Sequence, residues 1–150
     1  MISRDLFKEA IYAAIEPGDS VSAKTLGAAS AAAVWSVLEG CPVGAIVDTW
    51  VNPTRGDGQL VKAALARLGI AEVYEVLCLV PPDLAVSRYA RRERGAVHRA
   101  NEHVLRDIRE AAPHIKPLGI GPSLTVDTSV PVDVESVIVR LRQLRPSQPK

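Results

Sequence analysis

The chain has 150 residues, of which 47% are hydrophobic, and this length suffices for one ordinary core rather than two comfortable domains. Its 18 lysine and arginine residues balance 17 aspartate and glutamate residues, so no overall charge argues for nucleic-acid binding or for disorder. Every apolar run is interrupted well short of the roughly 20 residues that a membrane span needs, and the N-terminus lacks an apolar signal segment. We therefore expect a cytoplasmic protein that contacts neither membrane nor nucleic acid.

The first part of the sequence predicts two helices and a strand. Apolar residues recur at helical spacing over 4–15, and the alanine-rich stretch 22–40 predicts a second, largely buried helix that closes at Gly40. Residues 42–51 are apolar and rich in β-branched side chains, which is typical of a strand covered on both faces. Cys41 and Cys78 have no metal-site spacing and are predicted to be buried free thiols.

The remaining sequence continues the alternation of helix and strand. Helices are predicted over 57–69, 82–95, 101–112 and 133–144, and strands over 73–82 and 123–129. The strand-helix-strand order is the pattern of parallel α/β architecture. We predict a single α/β domain over residues 1–144, followed by a frayed tail at 145–150.

The stretch GDSVSAKTL, residues 18–26, comes within one residue of the phosphate-binding pattern G-x-x-x-x-G-K-[ST], with Ala23 in place of the second glycine. A working phosphate loop joins a strand to a helix, so that backbone amides and the helix dipole converge on one phosphate. This stretch follows a helix instead. We therefore interpret it as an inter-helix loop in which Ser20 or Ser22 caps the second helix, and not as a site for Lys24 to bind a nucleotide.

Four other stretches have a suggestive order and spacing. They are ISRDLFKEAI, with Asp5, Lys8 and Glu9; AIVDTWV, with Asp48; VLCLVPPDLAVSRYARRERGAVH, with Arg88, Arg92, Arg94 and His98; and LTVDTSVPVDV. With these motifs the chain resembles the P-loop small-molecule kinases of the AAA-type ATP-binding group, relatives of chloramphenicol phosphotransferase, gluconate kinase and the zeta toxins. The resemblance implies a three-layer P-loop NTPase-like sandwich, ATP and Mg²⁺ as cofactors, and phosphate transfer to a small-molecule acceptor.

The resemblance implies catalytic roles for two carboxylates. Asp5 would face the acceptor, and the alternative is that it caps the helix that follows. Asp48, at the end of an apolar strand, would act as a Walker-B-like carboxylate that reaches Mg²⁺ through water, and the alternative is that it caps a turn. Trp50 and Asn52, just past this strand, could line an acceptor pocket.

The basic residues are expected to contact the nucleotide. Arg88 and Arg92, one helical turn apart, are candidates for phosphate contact, and Arg94 and His98 would belong to a lid. RGAVH keeps the outer arginine and histidine of the family's lid sequence but not the inner H-P-G. The alternatives are a solvated helix face that pairs with Glu93 or Asp83, and a surface histidine.

One departure from the family bears on activity and assembly. The family's first strand, phosphate loop and following helix would precede Ile2, so we expect a truncated or remnant kinase that is weakly active or inactive. The absent central strand would leave strand edges unpaired, which predicts a homo-oligomer. The alternative function is a non-catalytic binding or interaction protein on the same fold. A nucleic-acid module is disfavoured, because the basic stretch is brief and has few aromatic residues.

Overall fold

A computed structural model describes residues 1–15, 20–92 and 102–144. The α-helices of these ranges are α1 Arg4–Ala13, α2 Ala23–Glu39, α3 Asp57–Arg67, α4 Pro82–Arg91, α5 Glu102–Ala111 and α6 Val134–Gln143. The strands are β1 Ile2–Ser3, β2 Val47–Asp48, β3 Glu75–Leu79 and β4 Ser123–Asp127, and a 3₁₀ turn covers Pro53–Arg55. Every predicted helix and strand is therefore present in the predicted order, although the predicted tail lies outside the described residues. None of the described helices has the length and apolar character needed to cross a membrane.

The chain divides into two compact units, of which the first contains Met1–Val51. In this unit β1 and β2 pair in parallel, and α1 packs against α2. The side chain of Ser22 caps α2, because its Oγ accepts a hydrogen bond of 3.1 Å from the backbone N–H of Thr25. The predicted N-cap is thus confirmed, and residues 20–22 lead into the helix without strand structure.

Fewer residues of the first unit are buried than the sequence predicts. The helix α2 buries only the single stripe Leu26, Ser30 and Val34, which recurs every fourth residue. The strand predicted over 42–51 shrinks to Val47–Asp48, while Val43 and Ile46 are 93% and 72% exposed. Its partner β1 offers only two residues for pairing, and Gly44, with φ of 78°, interrupts the extended backbone. The prediction of a strand covered on both faces is therefore wrong for this segment.

The second unit contains Asn52–Arg92 and the described residues from 102 onward. Here β3 and β4 form a parallel pair in which Glu75 lies opposite Ser123 and Leu79 lies opposite Asp127. The helix α6 packs against β4, and α4 packs against α5. Leu124 and Val126 of β4 are buried, at 6% and 7% exposure, so the core of this unit lies on one face of the pair.

A carboxylate fixes the segment that leads into β4. Glu75 accepts hydrogen bonds from the backbone N–H groups of Leu118, Gly119 and Ile120, at 2.6, 2.9 and 3.1 Å. These three donors lie before the strand and have no ladder of their own. The side chain of Glu75 in β3 therefore provides hydrogen-bond acceptors for the backbone N–H groups of the segment that leads into β4.

The strands of the described residues form two separate two-stranded parallel sheets, β1–β2 and β3–β4. This arrangement confirms a mixed α/β fold with parallel pairing. Both cysteines are free thiols, but Cys41 is only half-buried and Cys78 is exposed, so the predicted burial is wrong. Cys78 lies in β3, on the part of that strand left uncovered by the rest of the described chain.

Candidate functional site

Ser3 and Asp48 meet where β1 and β2 end. The two residues are register partners in the parallel pair, and the Ser3 Oγ donates a hydrogen bond of 3.1 Å to the Asp48 Oδ2. Ser3 is buried, at 8% exposure, whereas Asp48 is exposed. A buried hydroxyl thus holds one oxygen of an exposed carboxylate at the carboxyl end of parallel strands, where α/β sheets carry their ligand-binding residues.

Asp5 lies in the first turn of α1, directly after β1, and is exposed. The N-cap of this helix is Ser3, whose side chain makes no capping hydrogen bond because it is bonded to Asp48. The alternative in which Asp5 caps the helix is therefore wrong. Its carboxylate stands instead near the positive end of the helix dipole, at the same end of β1 as Ser3.

The carboxylate of Asp48 and the hydroxyl of Ser3 are hard oxygen donors of the type that Mg²⁺ prefers. The described residues contain no group of three or more histidine, cysteine, aspartate and glutamate side chains arranged to hold a metal ion. Mg²⁺ commonly keeps several waters and binds through one or two carboxylates together with substrate phosphates. The residues present therefore fit a Mg²⁺ ion that arrives with a phosphate ligand, and not a permanently held ion.

Arg88 organises the carboxyl end of the other parallel pair. Its Nη1 donates to the backbone carbonyl of Thr128 at 2.6 Å, and its Nη2 donates to that of Ser129 at 3.2 Å. Asp127, at the end of β4, accepts a hydrogen bond of 2.8 Å from the backbone N–H of Ser129. This bond is the main reason why the pKa of Asp127 is lowered, with further contributions from the Ser129 side chain and the Arg88 charge.

Of the other predicted basic residues, Arg92 is the one that the structure describes. Arg92 is the C-cap residue of α4 and is exposed, with an extended backbone conformation. Because the helix ends at Arg91, Arg92 does not continue the helical face that carries Arg88. Arg94, His98 and the predicted pairing partner Glu93 lie outside the described residues.

Trp50 and Asn52 differ in accessibility. Trp50 is 45% exposed, whereas Asn52 is 1% exposed. The Asn52 Oδ1 accepts hydrogen bonds from the backbone N–H and the hydroxyl of Thr54, at 2.9 and 2.8 Å. The backbone N–H of Asn52 donates to the carboxylate of Asp57. Its buried Nδ2 has no hydrogen-bond partner among the described residues. The side chain of Asn52 thus shapes the 3₁₀ turn at Pro53–Arg55.

Ser3, Asp127 and the 127–129 loop were not predicted from the sequence as parts of these sites. Ser3 has a weak sequence signal, because a small polar residue at the end of an apolar strand can reach the neighbouring strand end. The loop has none, since its contribution to the Arg88 contact is made by backbone carbonyls.

An open cleft in the second unit has none of the predicted site residues in its lining, although Thr54, which lines it, is bonded to the Asn52 Oδ1. It has a volume of about 520 Å³ and is lined by Pro53, Thr54, Pro113, His114, Ile115 and Lys116. No candidate carboxylate or arginine of the sequence analysis lines it, and its basic side chains, those of His114 and Lys116, are exposed.

The comparisons with known proteins support the fold. No family model and no curated protein matches the sequence. A crystal structure described as a "putative kinase" from Chloroflexus aurantiacus matches with a TM-score of 0.69 and 20% sequence identity, over 97% of this chain and 83% of that chain. At this identity the similarity shows the fold alone. The chain has a kinase-like α/β fold, in which Asp48 and Arg88 stand at the carboxyl ends of parallel strand pairs.

Proposed function

We propose that the chain is a P-loop-type, kinase-like domain related to small-molecule phosphotransferases. The observation that carries this proposal is the Ser3–Asp48 hydrogen bond across the ends of two parallel strands, which presents an oriented, exposed carboxylate. Phosphoryl transfer depends mainly on positioning and on electrostatic stabilisation, so an oriented carboxylate at a strand end is a suitable component. The similarity to a structure described as a kinase supports the same assignment.

Asp48 is proposed to hold a hydrated Mg²⁺ ion through the carboxylate oxygen that Ser3 does not occupy. When bound with a nucleotide, Mg²⁺ neutralises charge that develops on the transferred phosphate. Asp5, exposed at the same end of β1, is proposed to accept the proton of the acceptor hydroxyl. Trp50 is proposed to offer its half-exposed ring to the acceptor, whereas Asn52 supports the adjoining turn from a buried position.

In the second unit, Arg88 and Arg92 are proposed to contact phosphate. Two N–H groups of Arg88 are already bonded to carbonyl oxygens, and its side chain remains exposed. Since a guanidinium carries five N–H donors, Arg88 can bind an anion while it holds the 127–129 loop. Arg94 and His98 are proposed as lid residues by resemblance alone.

The chain by itself is proposed to bind ATP weakly and to transfer phosphate slowly or not at all. The described part of its near-match to a phosphate loop, residues 20–26, runs into α2, and the first-turn N–H of Thr25 is already bonded to Ser22. Phosphate binding at a helix start needs such N–H groups to point at the ligand. GDSVSAKTL therefore does not supply the main phosphate site.

Titration of a fluorescent ATP analogue, with and without Mg²⁺, tests the role of Asp48. We expect weak binding that Mg²⁺ strengthens and that loses its Mg²⁺ dependence in Asp48→Asn. The matched control is Asp133→Asn, which makes the same charge change at the N-cap of α6, where asparagine also caps well. A Mg²⁺ dependence that survives Asp48→Asn, or that disappears in both variants, would contradict the proposal.

A further inference from the structure

The outer edge of β3 exposes unpaired backbone groups. The N–H of Glu75 donates to the carbonyl of Pro122 at 2.9 Å, and the carbonyl of Leu79 accepts from the N–H of Thr128 at 2.8 Å. Because backbone groups alternate in direction along a strand, Glu75, Leu77 and Leu79 face β4, whereas Val76 and Cys78 face the opposite side. No strand of the described residues pairs with that side.

The side chains beside this edge are also uncovered. Val76 and Cys78 are the register partners of Leu124 and Val126, so all four lie on the same face of the pair. Leu124 and Val126 are 6% and 7% exposed, whereas Val76 is 44% exposed and Cys78 is exposed. On this face the side chains of β4 are therefore buried and those of β3 are exposed, although parallel sheets are normally covered on both faces.

The β3 edge lacks the features that prevent strands from pairing. The five residues of β3 include no lysine and no proline, and the strand pairs with β4 in continuous register without a bulge. Its one charged residue, Glu75, has its carboxylate bonded to three backbone N–H groups of the same chain. Among the described residues no strand pairs with this edge, and its outward residues carry no charge that would repel an added strand.

We propose that β3 of a second copy of this chain pairs with this edge, antiparallel, about a two-fold axis that lies between Leu77 and Leu77 of the partner subunit. A two-fold axis makes identical edges run antiparallel, and an uncharged apolar edge is complementary to itself. In this register Val76 pairs with Cys78 of the partner subunit, and the reciprocal pair completes the ladder. The added strand satisfies the backbone groups of Val76 and Cys78 and covers their side chains. This inference does not depend on the proposed kinase function.

A charged residue at the edge tests the pairing. We expect Val76→Lys to raise the dimer dissociation constant at least tenfold, measured by sedimentation equilibrium or light scattering over a dilution series. The matched control is Thr125→Lys, which places the same charge at an exposed position of β4. The side chain of Thr125 lies on the face of the pair opposite to Val76, so this substitution should leave association unchanged. Circular dichroism checks that both variants fold.

Two outcomes of this experiment would overturn the proposal. A natural chain that stays monomeric and folded at every concentration has no such interface. A dimer that Val76→Lys leaves intact, or that Thr125→Lys disrupts equally, is joined through another surface.

A spin label on Cys78 tests the register and remains informative if Val76→Lys fails to fold. Cys78 and Cys78 of the partner subunit are diagonal neighbours in the proposed ladder, about 7–8 Å apart. In a Cys41→Ser chain labelled at Cys78, we expect dipolar broadening that disappears when unlabelled chain is mixed in. A label on Thr125→Cys in a chain without the natural cysteines is expected to show none. A folded dimer without broadening at Cys78 would exclude this pairing.

Discussion

The Ser3 Oγ donates to the Asp48 Oδ2 across 3.1 Å, and this hydrogen bond joins residues that are 45 positions apart in the sequence. Ser3 is the N-cap residue of α1, yet its hydroxyl serves the neighbouring strand and not its own helix. The bond therefore links the end of β1 to the end of β2 and fixes the orientation of the candidate carboxylate.

Ser3→Ala should lower the free energy of unfolding by about 0.5–1.5 kcal/mol, because it removes a part-buried hydrogen bond. The measurement is urea denaturation, together with Asp48→Asn and the double variant. We expect the two single effects to be less than additive in the double variant, since Ser3→Ala removes the bond that Asp48→Asn weakens. Ser36→Ala, at an exposed position of α2, should change stability by less than about 0.5 kcal/mol. Additive effects would mean that the two side chains act independently in solution.

Glu75→Gln should destabilise the second unit by about 1.5–3 kcal/mol, because a charged acceptor of three backbone N–H groups becomes a neutral amide with one acceptor oxygen. Chemical denaturation measures this loss. Glu110→Gln is the matched control, since the contact that Glu110 makes within the described residues is an exposed one of 3.9 Å with Arg106. Equal effects of the two substitutions would show that the contacts of Glu75 contribute nothing in solution.

The helices were predictable from the sequence because their signals are local. Apolar spacing located α1, alanine content and the closing Gly40 located α2, and the Ser22 cap of α2 depends on atoms only three residues apart. The length of β2 was not predictable in this way. Val43 and Ile46 have strand-forming side chains, but a strand extends only as far as its partner, and β1 ends after two residues.

The candidate site was predictable only at the level of single positions. Asp48 was identified because it ends an apolar strand, which is a local signal. The Ser3 contact depends on which strands become neighbours, and the Glu75 contacts depend on a backbone segment more than 40 residues away. Arg88 was identified as a cation, but the carbonyl groups that hold it have no side-chain signal.

Asp127 should make stability depend on pH in the acid range. The hydrogen bond from Ser129 lowers the pKa of Asp127 in the folded chain below its ordinary value of 3.8. A lowered folded pKa contributes stability that is fully present above pH 3.8 and is lost as the pH falls through the folded pKa. The difference in unfolding free energy between the natural chain and Asp127→Asn should therefore shrink as the pH falls from 6 to about 3. A difference that stays constant over this range would contradict the assignment.

Lys24→Ala should leave nucleotide binding unchanged. Lys24 is exposed in the first turn of α2, and the helix begins from a loop with a serine cap. A lysine in that position holds phosphate only when the loop before it wraps the ligand. Binding of a fluorescent ATP analogue measures the effect, and Lys62→Ala, at an exposed position of α3, is the control. Mg²⁺-dependent ATP turnover that is lost in Lys24→Ala alone would make GDSVSAKTL a working phosphate site.

Sulfate or phosphate should raise the melting temperature of the chain if Arg88 and Arg92 bind anions, because a ligand that prefers the folded state stabilises it. Replacing both arginines with alanine should abolish this gain. Since Arg88 also holds the carbonyl groups of Thr128 and Ser129, the double variant should melt lower even without anion, and only the anion-dependent increment tests the site. Arg140→Ala with Arg142→Ala, in the last turn of α6, removes the same charge from another helix and should keep the increment. An anion-dependent increment that persists without Arg88 and Arg92 would mean that the anion binds elsewhere. Arg88 would then have only a structural role, and Arg92 would be a solvated surface residue.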